Sequence, residues 1–315
     1  MDSFAGRLAV VTGGGSGMGR ELVTQLAAEG CSVATCDVNR GALAETAARA
    51  EAVAPTGTRV TVHVCDVSDQ RQVDAFCEEV RTQHETDHID LLFNNAGIAG
   101  GGSFINAKRE EWERTFGVCW GGVYNCSRAF VPLLIASDDA YLVNTSSVNG
   151  FWASLGPGMP HTAYSTAKFA VKGFSEALME DFKVNAPHVK VAVVMPGHIG
   201  TDIVVNTRLA HGTDPDAMTA EELADVRAVM ARRGIPSDGI ADADLQAMVK
   251  MMGEAFRENA PMSAAAAATV ILDGVHAGAW RILVGDDAHA LDEAVRAAPE
   301  RAYAPDGPTL GTIGP

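Results

Sequence analysis

Tyr164 and Lys168, in the run Tyr164-Ser165-Thr166-Ala167-Lys168, are the residues whose types and spacing could do chemistry. From Ala163 to about Phe182, Ala167, Val171, Phe174 and Leu178 recur at i, i+4, i+7 and i+11, one apolar stripe of an amphipathic helix. Tyr164 and Lys168 lie off that stripe. Residues four apart on a helix are neighbours, so the ammonium of Lys168 can approach the Tyr164 phenol and favour its ionised form. A free phenol titrates near ~10, and lowering it two or three units needs roughly 3–4 kcal/mol of differential stabilisation. A cation in a desolvated cleft supplies that order of energy, and the pair becomes a general base near neutral pH. Spacing alone does not separate such a pair from two unrelated surface residues. The elements that position it decide.

Near the amino end an apolar strand, Arg7 to Val11, runs into Thr12-Gly13-Gly14-Gly15-Ser16-Gly17-Met18-Gly19, and Leu22, Leu26 and Ala27 then mark a helix. Strand, glycines and helix in that order form a dinucleotide-binding turn. The glycines let the backbone approach a pyrophosphate, and the helix start presents free N–H groups to it. A second strand, Ser32 to Cys36, ends at Asp37, placed to accept hydrogen bonds from an adenosine ribose. Its carboxylate would repel a 2′-phosphate, so NAD is expected over NADP, with Arg40 the one dissenting neighbour.

Further strands follow at Arg59 to Cys65, Ile89 to Phe93, Tyr141 to Thr145, Lys190 to Met195 and Arg281 to Val284, separated by helical stretches that include 69–83 and 108–134. The alternation implies an α/β fold: a doubly wound, Rossmann-like parallel sheet in three αβα layers, with 1–315 as a single domain. Ligands bind beyond the carboxyl ends of such strands. Lys and Arg number 24 against 40 Asp and Glu, a net charge of −16. That balance disfavours nucleic acid and anionic membrane as partners. The six cysteines show neither a metal-ligand spacing nor a disulfide framework, so no metal is expected and a cytoplasmic location fits. No signal segment or membrane span is read in the chain.

With these motifs in register the chain resembles the short-chain dehydrogenase/reductase family in its tyrosine-dependent form, from about Arg7 to Thr201 and again at Arg281 to Val284. The resemblance rests on Thr12-Gly13 with Gly17 and Gly19, on Asn94-Asn95-Ala96-Gly97, on Ser147 with Tyr164 and Lys168, and on Pro196-Gly197 with Thr201. It implies that Tyr164 exchanges the proton with the substrate oxygen, that Ser147 holds that oxygen, and that Lys168 tunes Tyr164 and binds the nicotinamide ribose. It further implies that Gly13, Ser16, Gly17, Met18 and Gly19 cradle the cofactor and that Asp66 and Val67 hold the adenine. Asn95 would brace the cofactor-side strand end, Thr201 with the backbone near Ile199 would anchor the carboxamide, and Ala96, Gly97, Pro196 and Gly197 would complete the cofactor contacts. Assembly as a homodimer or homotetramer through the long helices on either side of Ser147 is implied as well.

The chain departs from the family pattern in three places. Cys119 stands where relatives usually place an asparagine that holds a water in the proton path, and a thiol is a poor substitute. Seventeen positions separate Ser147 from Tyr164, a few more than usual. The extra segment makes Trp152, Met159 and His161 candidate substrate contacts, with His198 a fourth. Residues 202–261 exceed the minimal substrate loop. Thr219-Ala220-Glu221-Glu222 reads as a capping box opening a helix to about Arg233, and a second helix from Asp242 to Glu258 carries a methionine-rich apolar face. A helical lid before the last strand is expected, along with an extended tail, 299–315. The expected activity is NAD-dependent oxidation of a bulky, apolar, cyclic or aromatic secondary alcohol. The alternatives are an NADPH-type carbonyl or 3-oxoacyl reductase and a cofactor-binding regulator with little turnover.

Overall fold

Short apolar, β-branched runs form strands, and the longer 3.6-periodic segments form the helices that cover them. The computed structural model describes residues 1–156, 159–232 and 234–309. The strands are β1 (Leu8–Thr12), β2 (Ser32–Asp37), β3 (Val60–Val64), β4 (Leu91–Asn94), β5 (Ala140–Thr145), β6 (Val189–Pro196), β7 (Ile199–Gly200), β8 (Met262–Ser263) and β9 (Arg281–Val284). The helices are α1 (Gly17–Ala28), α2 (Arg40–Val53), α3 (Gln70–His84), α4 (Arg109–Phe116), α5 (Gly122–Ile135), α6 (Thr162–Asn185), α7 (Ile203–Ala210), α8 (Ala220–Arg232), α9 (Asp242–Glu258), α10 (Ala264–His276) and α11 (Asp286–Ala297).

Seven strands make one parallel sheet in the order β3-β2-β1-β4-β5-β6-β9. Alternate side chains go to opposite faces. Ala9, Val11, Phe93 and Val143 pack with α1 and α10, while Val10, Ala34, Leu92 and Leu142 pack with α3, α5 and α6. Each buried Val or Leu stabilises by ~1.5–3 kcal/mol, which makes the sheet a rigid platform for whatever its strand ends carry. The chain leaves β1 in one direction for β2 and β3, then returns to lay β4 on β1's other side. The crevice at that reversal, between β1 and β4, is where ligands bind in open α/β sheets.

Helix starts are capped in the ordinary way: Asn39 accepts from the Ala42 N–H, Asp69 from Arg71 and Ser263 from Ala266. The start of α1 differs, because Ser16 makes no capping bond and the first turn holds no acidic residue. Its N–H groups stay open toward the crevice. The expected helix over 108–134 is interrupted by a π-helical turn, Gly117–Gly121, with Cys119 inside it. Gly117, Gly121 and Gly122 ease the widened turn. The tail is not extended as far as residue 303: Pro299–Arg301 form a 3₁₀ turn, and Ala302 is buried with Val148, Trp152, Ala288 and Leu291. Residues 310–315 and Arg233, the expected end of α8, lie outside the described residues.

Candidate active site

Ser147 follows the carboxyl end of β5, and Tyr164 and Lys168 lie one helical turn apart near the start of α6. The three come together. Ser147 and Lys168 are buried, and Tyr164 is half-buried. The Ser147 hydroxyl accepts from the Asn149 N–H at 3.1 Å and also hydrogen-bonds the Tyr164 phenol. The Lys168 ammonium donates to the Thr145 carbonyl at 2.8 Å and lies 5.4 Å from the centre of the Tyr164 ring.

Electrostatics in this cluster reverse one expectation. Burial raises the Tyr164 phenol well above its ordinary value, the adjacent Cys119 adds to the rise, and the Ser147 hydrogen bond opposes it. Burial likewise pushes the Lys168 ammonium down. Lys168 therefore does not draw the phenol down in the chain by itself, because desolvation of both groups outweighs a cation held at that distance. Cys119 is fully buried, burial raises its thiol, and its Sγ donates to the Ile98 carbonyl at 3.0 Å.

The crevice floor is stitched between β1 and β4. Thr12 Oγ1 accepts from the Asn95 and Ala96 N–H groups at 3.0 and 3.1 Å, and the Asn95 amide donates to the Thr12 carbonyl at 3.1 Å. A Cβ on Gly13 would fall 2.7 Å from the Ala96 Cα, and one on Gly19 would fall 2.1 Å from the Gly13 carbonyl oxygen. No side chain fits at either position. Asn95 Oδ1 is buried without a partner among the described residues, as a group awaiting a ligand would be. Open N–H groups at α1, a close-approach floor and this orphaned acceptor fit a dinucleotide.

Asp37 sits at the end of β2 with one carboxylate oxygen accepting from Gly15 N–H and the other from Asn39 N–H, each at 3.0 Å. Arg40, beside it at the start of α2, is exposed. Asp66 accepts from Ser68 and is paired with Arg114 of α4 at 2.7 Å; burial raises its carboxyl, but these bonds outweigh burial and hold it low. Val67 is buried against Gly122, Met18 in the first turn of α1 packs on the core, and Gly97 lies next to Lys168. Gly197 donates to the Val284 carbonyl at 2.9 Å, placing Pro196-Gly197 at the end of β6. Ile199 is buried in β7, which pairs with β8. Thr201 lies against Gly17, so this segment reaches back to the glycine turn.

The candidate substrate residues separate. Trp152 is 1% exposed, and its indole N–H donates to the Ala302 carbonyl at 2.8 Å, so it belongs to the small core under the tail and does not line the crevice. His198 is buried too: its Nε2 bonds the Phe256 carbonyl at 2.7 Å and its N–H donates to Asp287, which makes it a strut between the β6 end and α9. Met159 is half-buried in a turn closed by its N–H on the Gly156 carbonyl. His161 stays at the chemistry, stacked on Tyr164 with ring centres 4.6 Å apart and planes 19° apart.

Among the described residues, 202–261 hold three helices, one more than expected. Thr219 and Glu222 form the anticipated capping box of α8. On α9 the methionines point outward, Met251 62% and Met252 56% exposed, while Leu245, Val249 and Gly253 face inward. The unanticipated α7 reaches the glycine turn and the loop after β4. Its Asn206 amide donates to Ser16 Oγ at 3.0 Å, and its Thr207 Oγ1 accepts from the Ala99 N–H at 2.8 Å. Below it, Arg257 of α9 pairs with Asp202 at 2.7 Å.

A crevice of this build, with a phenol, a hydroxyl and an amine on its far side, marks the class of nicotinamide-dependent oxidoreductases on a doubly wound sheet. The family model described as short chain dehydrogenase matches residues 7–211, and the chain belongs to the short-chain dehydrogenase/reductase family. It is 35% identical to the oxidoreductase SadH of Mycobacterium tuberculosis over 94% of this chain and 92% of that one. A short-chain dehydrogenase/reductase from Burkholderia phymatum, solved in complex with NAD, superposes with a TM-score of 0.75 at 26% identity, covering 98% of this chain and 99% of the other. A metagenomic short-chain oxidoreductase solved in complex with NADP superposes with a TM-score of 0.54 at 29% identity, over 62% of this chain and 83% of that one. The protein is an oxidoreductase whose fold binds a nicotinamide cofactor.

Proposed function

We propose that the protein is an NAD-dependent dehydrogenase of secondary alcohols, acting on a bulky, largely apolar, cyclic or aromatic carbinol and releasing the ketone. The observation that carries this reading is the meeting of Ser147, Tyr164 and Lys168 beside the glycine-floored crevice. Bound NAD supplies the hydride acceptor and a positive charge. Ser147 holds the substrate oxygen by a hydrogen bond, and Tyr164 takes the hydroxyl proton as the carbinol is oxidised. Lys168 orients the nicotinamide ribose and, together with the positive charge that bound NAD would add, favours the ionised phenol. Because Cys119 is bonded to a carbonyl, the proton leaves by water and backbone oxygens near Lys168 and Thr145.

Gly13, Ser16, Gly17, Met18 and Gly19 hold the pyrophosphate in this reading, and Asp66 and Val67 the adenine. Asn95, Ala96 and Gly97 line the ribose side, and Pro196, Gly197, Ile199 and Thr201 the carboxamide. Asp37 supports NAD over NADP, since its carboxylate, fixed by two backbone N–H groups, stands where a 2′-phosphate would be repelled. Residues 1–315 form one catalytic domain working in the cytoplasm. Described residues include no helix long and apolar enough to cross a membrane. Pairing into a homodimer or homotetramer through α5 and α6 is supported by Tyr124 and Phe169, both large and exposed there.

The test is cofactor reduction, with NAD and NADP in parallel, over hydroxysteroids, ring diols and benzylic alcohols. The expected result is absorbance growth with NAD for at least one class. Preference for NADP would overturn the cofactor choice, and faster turnover of 3-oxoacyl thioesters would overturn the substrate class.

A further inference from the structure

Three histidines are buried among the described residues: His63, His161 and His198. Two have evident partners. His63 bonds Glu79 at 2.6 Å and Thr61 at 3.0 Å, and His198 bonds the Phe256 carbonyl. His161 is 8% exposed, and its Nδ1 is buried with no hydrogen-bond partner among the described residues. It immediately precedes α6 but makes no side-chain capping bond there. Its ring stacks on the Tyr164 ring. An apolar aromatic would make that stack without leaving a polar atom desolvated. The imidazole therefore has a use that packing does not explain.

Burial lowers the His161 pKa to about 4, so near neutral pH the ring is uncharged, with one nitrogen donating and the other accepting. An uncharged donor and acceptor suits a hydroxyl or carbonyl oxygen and offers nothing special to a carboxylate. Stacked on the reactive ring, the imidazole lies within a few ångströms of the phenol, so an oxygen near the one bonded to Tyr164 is the substrate group best placed to reach it.

We propose that His161 is a specificity-determining residue that hydrogen-bonds a second oxygen of the substrate, so that diols and hydroxyketones are oxidised in preference to the matching mono-alcohols. This rests on the dehydrogenase reading above and narrows it from apolar carbinols in general to carbinols with a second oxygen close by.

The experiment compares 1-phenylethane-1,2-diol with 1-phenylethanol, which share the same benzylic carbinol, in the parent enzyme, His161→Phe and His161→Gln. The phenylalanine keeps the stack and removes the hydrogen bond; the glutamine keeps an amide donor and acceptor. The parent is expected to show kcat/KM at least tenfold higher for the diol. His161→Phe is expected to lower the diol's kcat/KM by about 10–100-fold, mainly through KM, while the mono-alcohol changes less than about threefold. His161→Gln should recover part of the diol preference. A parent with no preference, equal losses on both substrates, or a preference that survives His161→Phe would each overturn the inference. A parent that oxidises neither compound, nor any alcohol of the wider panel, would instead remove the dehydrogenase reading and this inference with it.

Discussion

The two walls of the crevice are made of different material. Between β1 and β4 the wall is backbone, with Thr12, Asn95 and Ala96 locked together and Gly13 and Gly19 leaving no room for a Cβ. Opposite, the wall is side chains on added helices, fastened at a few points such as Asn206 to Ser16, Thr207 to Ala99 and Arg257 to Asp202. A backbone wall suits a ligand that stays the same whatever the substrate, as a dinucleotide does. A side-chain wall can be rebuilt residue by residue without touching the sheet, and so selectivity can change there while the chemistry stays.

Substitutions sharpen that contrast in order of size. Tyr164→Phe, where the two walls meet, is expected to lower kcat by roughly 10²–10⁴-fold while NADH still binds, read by steady-state kinetics beside a fluorescence titration. Turnover equal to the parent's would leave the phenol without a role. On the backbone wall, Gly19→Ala forces a Cβ onto the Gly13 carbonyl; overpacking of this kind destabilises by about 1–3 kcal/mol, and nucleotide affinity should fall by at least tenfold in the same titration. On the side-chain wall, Asn206→Ala removes one exchangeable bond and is expected to raise KM for NAD only a few-fold. It should also speed proteolytic cleavage between 202 and 261, with added NAD reversing part of the effect. An Asn206→Ala loss as large as that of Gly19→Ala would erase the distinction between the walls.

The remaining effect is one of acidity. His161 in the folded chain titrates at about 4, below its ordinary 6.5, so between those values the unfolded chain binds more protons. Its contribution is complete above pH 6.5 and is lost as pH falls toward 4, by on the order of 3 kcal/mol. His84, also lowered to about 4, acts in the same window, so the measurement is the difference in acid unfolding between parent and His161→Phe. A variant with an equally steep acid limb would show that His161 is not held neutral.

Much of the backbone wall is legible in the chain, because glycines between a strand and a helix admit few explanations and α6 repeats its apolar stripe over about three turns. The side-chain wall is less so. In α7, Ile203, Val204, Val205 and Thr207 are β-branched and read locally as an extended segment. What makes it a helix is distant: Val205 packs into the space left by Gly253, and Asn206 and Thr207 find partners in other loops. Trp152 and His198 look like ligand contacts in a segment near the chemistry, yet each is tied to a carbonyl of a residue far along the chain, Ala302 and Phe256. The Tyr164 pKa followed burial, which spacing does not report. The His161 stack did leave a signal, a ring-bearing residue three positions before Tyr164 and just ahead of α6.

Ala302 accepts from Trp152, and the Tyr303 hydroxyl accepts from the Ala153 N–H at 3.0 Å. The stretch that begins at Ser147 is thus buttressed by chain made some 150 positions later. During synthesis the nucleotide crevice can take shape before that buttress emerges, but the corner holding the reactive serine waits for nearly the last of the polypeptide. A truncated product would bind its coenzyme and still lack a settled reaction centre.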